Sequence, residues 1–215
     1  MELRVLNMHA GIGGNRKLWT DCEVTAVEKD PVIAEVYKAL FPNDTVIVGD
    51  AQEYLIKHFQ EFDFIWGSPP CPSHSRINTD GNQPPRYPEM SLYQIIIFLS
   101  NNWFKGKYCI ENVIPYYEPL IPPSIKLDRH YYWTNFKVTH FNDFTECSSI
   151  EYQNNKERFG FDISATKIED KRKSLRNLVD PAVGLHIFNA ARGIITQTTS
   201  ETLSLFDTPT KTTVK

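Results

Sequence analysis

Short apolar runs alternate with polar and amphipathic stretches along most of the chain. Five runs have the length, the β-branched residues and the flanking turn residues that are typical of buried strands. Apolar residues recur at helical spacing after Asp30-Pro31 and after Asp180-Pro181, where an aspartate suited to capping precedes a proline suited to the first helical turn. A third helix is predicted over residues 90–104. The five predicted strands are LRVLNM (3–8), EVTAVE (23–28), TVIV (45–48), FDFIW (62–66) and KYCIEN (107–112).

This alternation of strands and helices predicts an α/β fold with a doubly wound, mostly parallel sheet. Ligands of such sheets bind outside the carboxyl ends of the strands, so the residues that follow each strand are the candidates for chemistry. Beyond the fifth strand, the alternation over residues 126–138 predicts a strand or hairpin, whereas residues 140–176 are polar and irregular. We expect five groups to meet at one edge of the sheet: AGIGG (10–14), Glu28, Asp50, the Pro-Pro-Cys of residues 69–71, and Glu111 with Asn112.

Composition indicates a globular chain with a sizeable core, since 41% of its 215 residues are hydrophobic. The four cysteines form no CxxC pair, which favours reduced thiols in a cytosol over a zinc site. No apolar run is long enough to span a bilayer and the N-terminus reads as a strand, so we expect a cytoplasmic protein without a secretory signal. The net charge of −3 does not indicate a nucleic-acid binder, and composition alone favours a solvated face for the basic run KRKSLR (171–176).

The first three strand ends carry the groups that a nucleoside cofactor needs. Gly11, Gly13 and Gly14 allow a tight turn and a close approach of the backbone to a ligand. Glu28 can accept two ribose hydroxyls, and Asp50 can bind an adenine amino group. Each residue also has a simpler interpretation, because glycines serve helix packing and single carboxylates cap helices. The three features together favour a nucleoside cofactor.

The fourth and fifth strand ends carry Cys71 and Glu111. A thiolate is a nucleophile, and a carboxyl group in a pocket can stay protonated and donate to a ring nitrogen. An inert buried thiol and a simple salt bridge are the alternatives, although three flanking prolines make the first a poor account of this loop. The remaining cysteines, Cys22, Cys109 and Cys147, are assigned to the core.

Four motifs, NMHAGIGG, VEKDP, GSPPCPSHS and IENV, resemble those of the DNA (cytosine-5)-methyltransferases in their order and spacing. RHYYW and RNLVDPAVGLHI are similar to later motifs of the same family. The resemblance covers nearly the whole chain except residues 140–170 and the tail. It implies a Rossmann-like fold of the S-adenosylmethionine-dependent methyltransferase type. It also implies methylation of double-stranded DNA by a cytoplasmic enzyme of bacterial or phage type, as in restriction-modification.

The resemblance implies a role for each matching residue. Cys71 would attack carbon 6 of a cytosine flipped out of the duplex, Glu111 would protonate ring nitrogen 3, and Arg129 would contact the cytosine carbonyl. Asn112 would orient the cysteine loop by hydrogen bonds to its backbone. The cofactor, S-adenosyl-L-methionine, would contact His9, Ala10, Gly11, Gly13, Gly14, Glu28, Lys29, Asp50, Ala51, Pro70 and Asn177. Residues 73–88 would form a mobile loop, and the DNA contacts would be Ser73, Ser75, Arg76, Arg86, Lys171, Arg172 and Lys173.

The chain departs from the family pattern at three places. His9 stands where the family has a phenylalanine that stacks on adenine, and only Arg129 remains of an arginine-rich strand motif. The stretch that would hold a separate target-recognition domain is short. We therefore expect a catalytic and cofactor-binding domain (1–139 and 171–196), a reduced target-recognition segment (140–170) and a flexible tail (197–215). Specificity would come from a very short site, from a separate specificity subunit, or from NNKERFGFD (154–162) together with the basic run over residues 167–176.

Other functions stay open at this stage. An RNA cytosine-5 methyltransferase that acts on tRNA keeps the chemistry and changes the substrate. A catalytically silent binding module, or one subunit of a split methyltransferase, belongs to another class. TLSLF (202–206) is similar to the short peptides that bind the replication sliding clamp, although a chance match is the simpler explanation. We expect no membrane partner and no metal.

Overall fold

The computed structural model describes residues 2–70, 88–140 and 159–194. In these residues, seven strands form one sheet. The strands are β1 (Leu3–Met8), β2 (Cys22–Glu28), β3 (Thr45–Val48), β4 (Phe64–Gly67), β5 (Lys107–Val113), β6 (Ile125–Leu127) and β7 (His130–Thr134). The helices are α1 (Pro31–Leu40), α2 (Ala51–His58), α3 (Met90–Ser100), α4 (Lys171–Arg176) and α5 (Pro181–Ala191), and a 3₁₀ turn covers Phe59–Glu61.

The strand order is β3-β2-β1-β4-β5-β7-β6, and the first five strands along the chain are parallel. β7 lies between β5 and β6 and is antiparallel to both. The order reverses direction between β1 and β4, which is the topological switch point at which such sheets bind ligands. The predicted doubly wound, mostly parallel sheet of the Rossmann-like type is confirmed.

The helix starts follow local sequence signals. Asp30 accepts hydrogen bonds from the backbone of Val32 and Ile33 at the start of α1, and Asp180 accepts one from Ala182 at the start of α5. Helix α3 ends at Ser100, short of the predicted residue 104. None of the helices in the described part of the chain is long and apolar enough to cross a membrane.

The sheet is covered on both faces. One face packs Ile65 and Ile110 against α3, and the opposite face packs Trp66 and Cys109 against α5. The placement of Cys109 in the core is confirmed, since its side chain is fully buried. Full burial of one large apolar side chain stabilises the fold by about 1.5–3 kcal/mol, so these two layers hold the strand ends in fixed positions.

A third apolar cluster joins the segment 159–178 to the β1 loop and α1. Phe159 and Phe161 are buried there against Ile12 and Val36. The last part of the predicted target-recognition segment is thus packed against the β1 loop and α1, because its phenylalanines complete the core there. The proposed reader NNKERFGFD (154–162) therefore does not present Phe159 and Phe161 to a nucleic acid, and residues 154–158 lie outside the described residues.

Candidate active site

A cavity of about 920 Å³ opens at the carboxyl ends of β1, β2 and β3. This volume lies within the range of sites for small molecules and cofactors. The turn after β1, the start of α2 and the segment 167–179 form its walls. The predicted cofactor residues that line it are His9, Ala10, Gly11, Gly14, Glu28, Lys29, Asp50, Ala51, Pro70 and Asn177.

Glu28 is held at the end of β2 by the backbone around it. Its Oε2 accepts a hydrogen bond from the Gly11 amide at 2.8 Å, and its Oε1 accepts one from the Asp30 amide at 3.0 Å. Each carboxylate oxygen has a second lone pair, so both can still accept a hydroxyl of a ligand. The carboxylate is therefore fixed in orientation before any ligand binds.

Asp50 has the capping role that the sequence left open, and it also faces the cavity. Its Oδ1 caps α2 by accepting from the amides of Gln52 and Glu53, at 2.9 and 3.1 Å, and the residue also lines the cavity. The hydrogen bond from the Glu53 amide is the main reason why the pKa of Asp50 is lowered. The Lys29 ammonium, 3.7 Å from Oδ2, contributes in the same direction.

The glycines of the β1 loop divide between the cavity and the protein core. Gly11 has φ +54°, and a Cβ at this position would meet no protein atom, so a ligand can approach its backbone. Gly13 does not line the cavity: with φ +83° it lies against α1, where a Cβ would overlap the rings of Phe41 and Tyr37. The structure thus gives Gly13 the packing role and leaves Gly11 open to the cavity.

His9 is the first residue of this loop and its ring is buried at the cavity wall. It has φ +53°, and burial lowers its pKa to about 4, although Asp50 opposes this shift. The ring is therefore neutral at pH 7. Its Nδ1 is buried and has no hydrogen-bond partner among the described residues. An unpaired buried nitrogen costs free energy, and a polar ligand in the cavity could relieve that cost.

A largely buried ion pair anchors the rest of the loop, and no sequence pattern indicated it. The Arg16 guanidinium binds both oxygens of Asp44, each at 2.9 Å. The Tyr37 hydroxyl donates to Asp44 at 2.8 Å, so the carboxylate is well satisfied although it is only 3% exposed. The three partners come from separate elements, and their spacing along the chain shows no pattern.

Glu111 lies on β5 in a different environment. Its side chain is buried, and burial raises its pKa to about 7, against the opposing effects of a Ser68 hydrogen bond and the Arg129 charge. The Ser68 hydroxyl oxygen accepts from Trp66 Nε1 at 2.9 Å, which leaves its own hydrogen for Glu111. This carboxyl group is therefore partly protonated at neutral pH and can act as a proton donor.

The hairpin of β6 and β7 brings Arg129 and His130 to Glu111. The amide of Ile114, just after β5, donates to the Arg129 carbonyl at 3.2 Å, and Arg129 Nε lies 3.6 Å from Asp128. His130 Nε2 is 3.3 Å from Glu111 Oε1, and both side chains are buried. The sequence indicated Arg129 through its motif, but it gave no signal for His130.

Asn112 fixes the chain where the cysteine loop begins. Its Nδ2 donates to the Pro69 carbonyl at 3.0 Å, as the interpretation of Asn112 requires. Pro70 is exposed at the cavity. The predicted residues of the loop itself and of the tail peptide lie outside the described residues: Cys71, Ser73, Ser75, Arg76, Arg86 and residues 202–206.

The basic run forms α4 beside the cavity. Lys171 donates to the Ser164 carbonyl at 2.6 Å, Arg172 is exposed, and Lys173 lines the cavity. Lys167 and Asn177 lie on the same wall. Lys171 therefore has a structural partner, and Lys173 faces the cavity.

The Rossmann-like sheet, with its cavity at the switch point, defines the class of the protein as that of the S-adenosylmethionine-dependent methyltransferase fold. Residues 3–94 match the family model described as C-5 cytosine-specific DNA methylase. The resemblance is thereby confirmed for residues 3–94, which are less than half of the chain and are similar to the C-5 cytosine methyltransferase family.

Curated relatives are similar over part of the chain. The human tRNA (cytosine(38)-C(5))-methyltransferase is 33% identical over 87 residues, which are 37% of this chain and 22% of that protein. The rat protein of the same name is 31% identical over 118 residues, which are 52% of this chain and 30% of that protein. The chain thus spans less than a third of the length of these relatives. A DNMT2 mutant structure from Spodoptera frugiperda is 28% identical, with a TM-score of 0.38, over 52% of this chain and 36% of that chain.

Proposed function

We propose that the chain transfers a methyl group from S-adenosylmethionine to carbon 5 of cytosine in DNA. The observation that carries the proposal is Glu111, a buried carboxyl group with a pKa of about 7, which stands one strand away from the start of the cysteine loop. A carboxyl group of this kind supports protonation of a cytosine ring nitrogen at neutral pH. The match of residues 3–94 to the family model supports the same chemistry.

The proposed reaction begins when the Cys71 thiolate attacks carbon 6 and Glu111 gives its proton to nitrogen 3. Carbon 5 becomes electron-rich and would take the methyl group as the bond between that group and the sulfonium sulfur breaks, which leaves the sulfur as a neutral thioether. Loss of the proton on carbon 5 to solvent and of the thiolate restores the ring, and the proton on nitrogen 3 returns to Glu111. Arg129, on the hairpin beside Glu111, would hold the cytosine carbonyl. Cys71 thus forms and breaks one covalent bond in each cycle, without net change.

S-adenosylmethionine fits the residues of the cavity, and when bound it supplies a methyl group on a sulfonium. Glu28 would accept the ribose hydroxyls, and Asp50 and Lys29 would lie at the adenine. Two observations support this fit: the open space beside Gly11 and the unpartnered Nδ1 of His9 at the cavity wall. Both are features that a polar, nucleoside-sized ligand would complete.

A second candidate substrate is RNA, because the curated relatives reported above are named tRNA (cytosine(38)-C(5))-methyltransferases. The family model and the sequence GSPPCPSHS favour DNA. The protein groups proposed for the chemistry are the same for both nucleic acids. The choice of nucleic acid is therefore a question for the substrate assay rather than for the reaction mechanism.

The test is transfer of a labelled methyl group to double-stranded DNA and to tRNA, by the native chain and by Cys71→Ala. We expect transfer to DNA by the native chain alone, together with a covalent adduct on DNA that contains 5-fluorocytosine. Transfer to tRNA only would overturn the DNA assignment and support the RNA enzyme. Cofactor binding without transfer to either substrate would overturn the enzyme proposal and favour a binding module or one subunit of a split methyltransferase.

A further inference from the structure

We propose that His130 is a positioning residue for Glu111, which it holds by donating a hydrogen bond from Nε2–H to Glu111 Oε1. This bond would direct the proton of Glu111 to its other oxygen, Oε2, which is then free to serve the base. The inference rests on the proposed function only for the use of that proton in catalysis. The hydrogen bond itself can be tested without any reaction.

The sheet register brings the two side chains together. Glu111 on β5 is directly opposite Tyr132 on β7, and His130 is two residues before Tyr132. His130 and Tyr132 therefore lie on the same face of β7 as Glu111 does on β5, with His130 in the diagonal position. The 3.3 Å separation of Nε2 and Oε1 follows from this register, and both side chains are less than 10% exposed.

The 3.3 Å distance is within hydrogen-bonding range, and a neutral ring rules out a permanent ion pair. Burial and the nearby Arg129 charge lower the pKa of His130 to about 3, so its ring is neutral at pH 7. A neutral ring carries one N–H, and the hydrogen bond selects which nitrogen holds it. Two arrangements fit the distance: Nε2–H donates to Oε1, or a protonated Oε1 donates to Nε2.

The chemistry distinguishes the two arrangements. If Oε1 carried the proton and donated to His130, the proton would be held by Nε2 and would not be available to a substrate. If Nε2–H donates, the proton sits on Oε2. When that proton passes to ring nitrogen 3, the negative charge left on Glu111 is stabilised by a donor that is already in place. His130 neither gains nor loses a proton during the cycle.

Other groups also face Glu111, and the test has to separate their effects. Just after β4, the Ser68 hydroxyl donates to the carboxyl group. In the turn between β6 and β7, the Arg129 charge favours the carboxylate. From β7, the Tyr132 hydroxyl lies close enough for electrostatic interaction. From β5 itself, the Cys109 thiol interacts with Glu111 in the same way. All of these groups remain unchanged when His130 alone is replaced.

The first measurement uses nitrogen-15 NMR of the native chain, which reports the tautomer of each histidine ring. We expect His130 in the Nε2–H form, neutral from pH 5 to pH 8 by the direction and size of its shift. A ring protonated only on Nδ1 would overturn the proposal, because Nε2 could then only accept. This result does not depend on methyl transfer, so it stands apart from success or failure of the proposed function.

The second measurement compares the titration of Glu111 and the pH profile of methyl transfer in three variants. His130→Phe removes the donor, so we expect the pKa of Glu111 to rise by roughly one unit. The midpoint of the alkaline limb of the pH profile should shift upward by the same amount, and the maximal rate should fall roughly tenfold. His130→Gln keeps an N–H near the Nε2 position and should return that midpoint close to its native pH. His186→Phe is the matched control, since His186 is also buried but bonds to the Thr139 carbonyl, outside the cavity lining.

The outcomes separate the two proposals. A falling pKa of Glu111 in His130→Phe would show that His130 is an acceptor, and an unchanged pKa would show that it does not position the carboxyl group. Either result overturns the inference while native activity continues. A native chain without methyl transfer, but with the expected tautomer and titration, overturns the proposed function and leaves the hydrogen bond in place. Carbon-13 labelling of the glutamate carboxyl groups, with Glu111→Gln for assignment, gives the titration directly.

Discussion

Asp50 and Glu111 are both acidic residues at the same edge of the sheet, yet their surroundings shift their pKa values in opposite directions. Asp50 accepts backbone hydrogen bonds at the start of α2, which lower its pKa and keep it ionised. Glu111 is buried among side chains, and its pKa is raised to about 7. The half of the sheet around β2 and β3 thus keeps a charge at the cavity, whereas the half around β5 and β7 keeps a proton on Glu111, as the proposed reaction requires.

The substitution with the largest expected effect on this comparison is Glu111→Gln. Gln has no acidic proton, so we expect methyl transfer to fall by about 10² to 10⁴-fold, the range typical of a lost general acid. Cofactor affinity should change little, because Glu111 does not line the cavity. Transfer assays and calorimetry of cofactor binding measure the two effects. Glu35→Gln, an exposed change on α1, is the control, and a similar loss of activity there would point to general damage.

The fold could be predicted further than the site because most of its signals are local. The predicted strands LRVLNM and TVIV coincide with β1 and β3, and both Asp-Pro pairs begin helices. Helix α2 was not predicted, because its apolar residues are few and a cap was only one of the interpretations of Asp50. The buried Phe159 and Phe161 were also missed, since the polar residues around them hide a core that forms only against α1.

The residues of the site also divide into those that local sequence indicates and those that depend on contacts between distant segments. The ends of predicted strands indicated Glu28 and Glu111, and a motif indicated Arg129. The contact of His130 with Glu111 depends on which residues of β5 and β7 are opposite each other, and the Arg16–Asp44 pair joins separate elements. A sequence without a known register cannot supply such contacts. Packing roles such as that of Gly13 are equally hidden, because the ring that fills the space belongs to another element.

The pH dependence of the free energy of unfolding tests whether the His9 ring is held neutral at the cavity wall. The folded pKa of about 4 lies below the ordinary value of 6.5, so between these values the unfolded chain binds a proton that the folded chain refuses. Stability is therefore lost as the pH falls from 6.5 towards 4, by up to about 3 kcal/mol from this residue. His9→Phe should flatten this part of the profile.

Denaturant unfolding of the native chain and of His9→Phe at several pH values between 4 and 7 measures the difference in slope. His130 should leave a remaining acid sensitivity in both proteins, because its pKa is also lowered. Parallel profiles would mean that the His9 ring is protonated without cost, and its place at the cavity wall would then need another explanation.

The smallest expected effect is that of Glu28→Gln. An amide of the same shape keeps one acceptor oxygen, so the hydrogen bond from Gly11 or from Asp30 can persist while the other is lost. We expect S-adenosylmethionine to bind roughly tenfold more weakly, since one charged acceptor for a ribose hydroxyl is missing.

The titration of Glu111 should stay unchanged, because the two carboxyl groups belong to different halves of the sheet. If Glu28→Gln instead shifted that titration, the binding and catalytic halves would be coupled, and the separation drawn between Asp50 and Glu111 would be wrong. Calorimetry for the cofactor and carbon-13 NMR for Glu111, on the same sample, decide between the two.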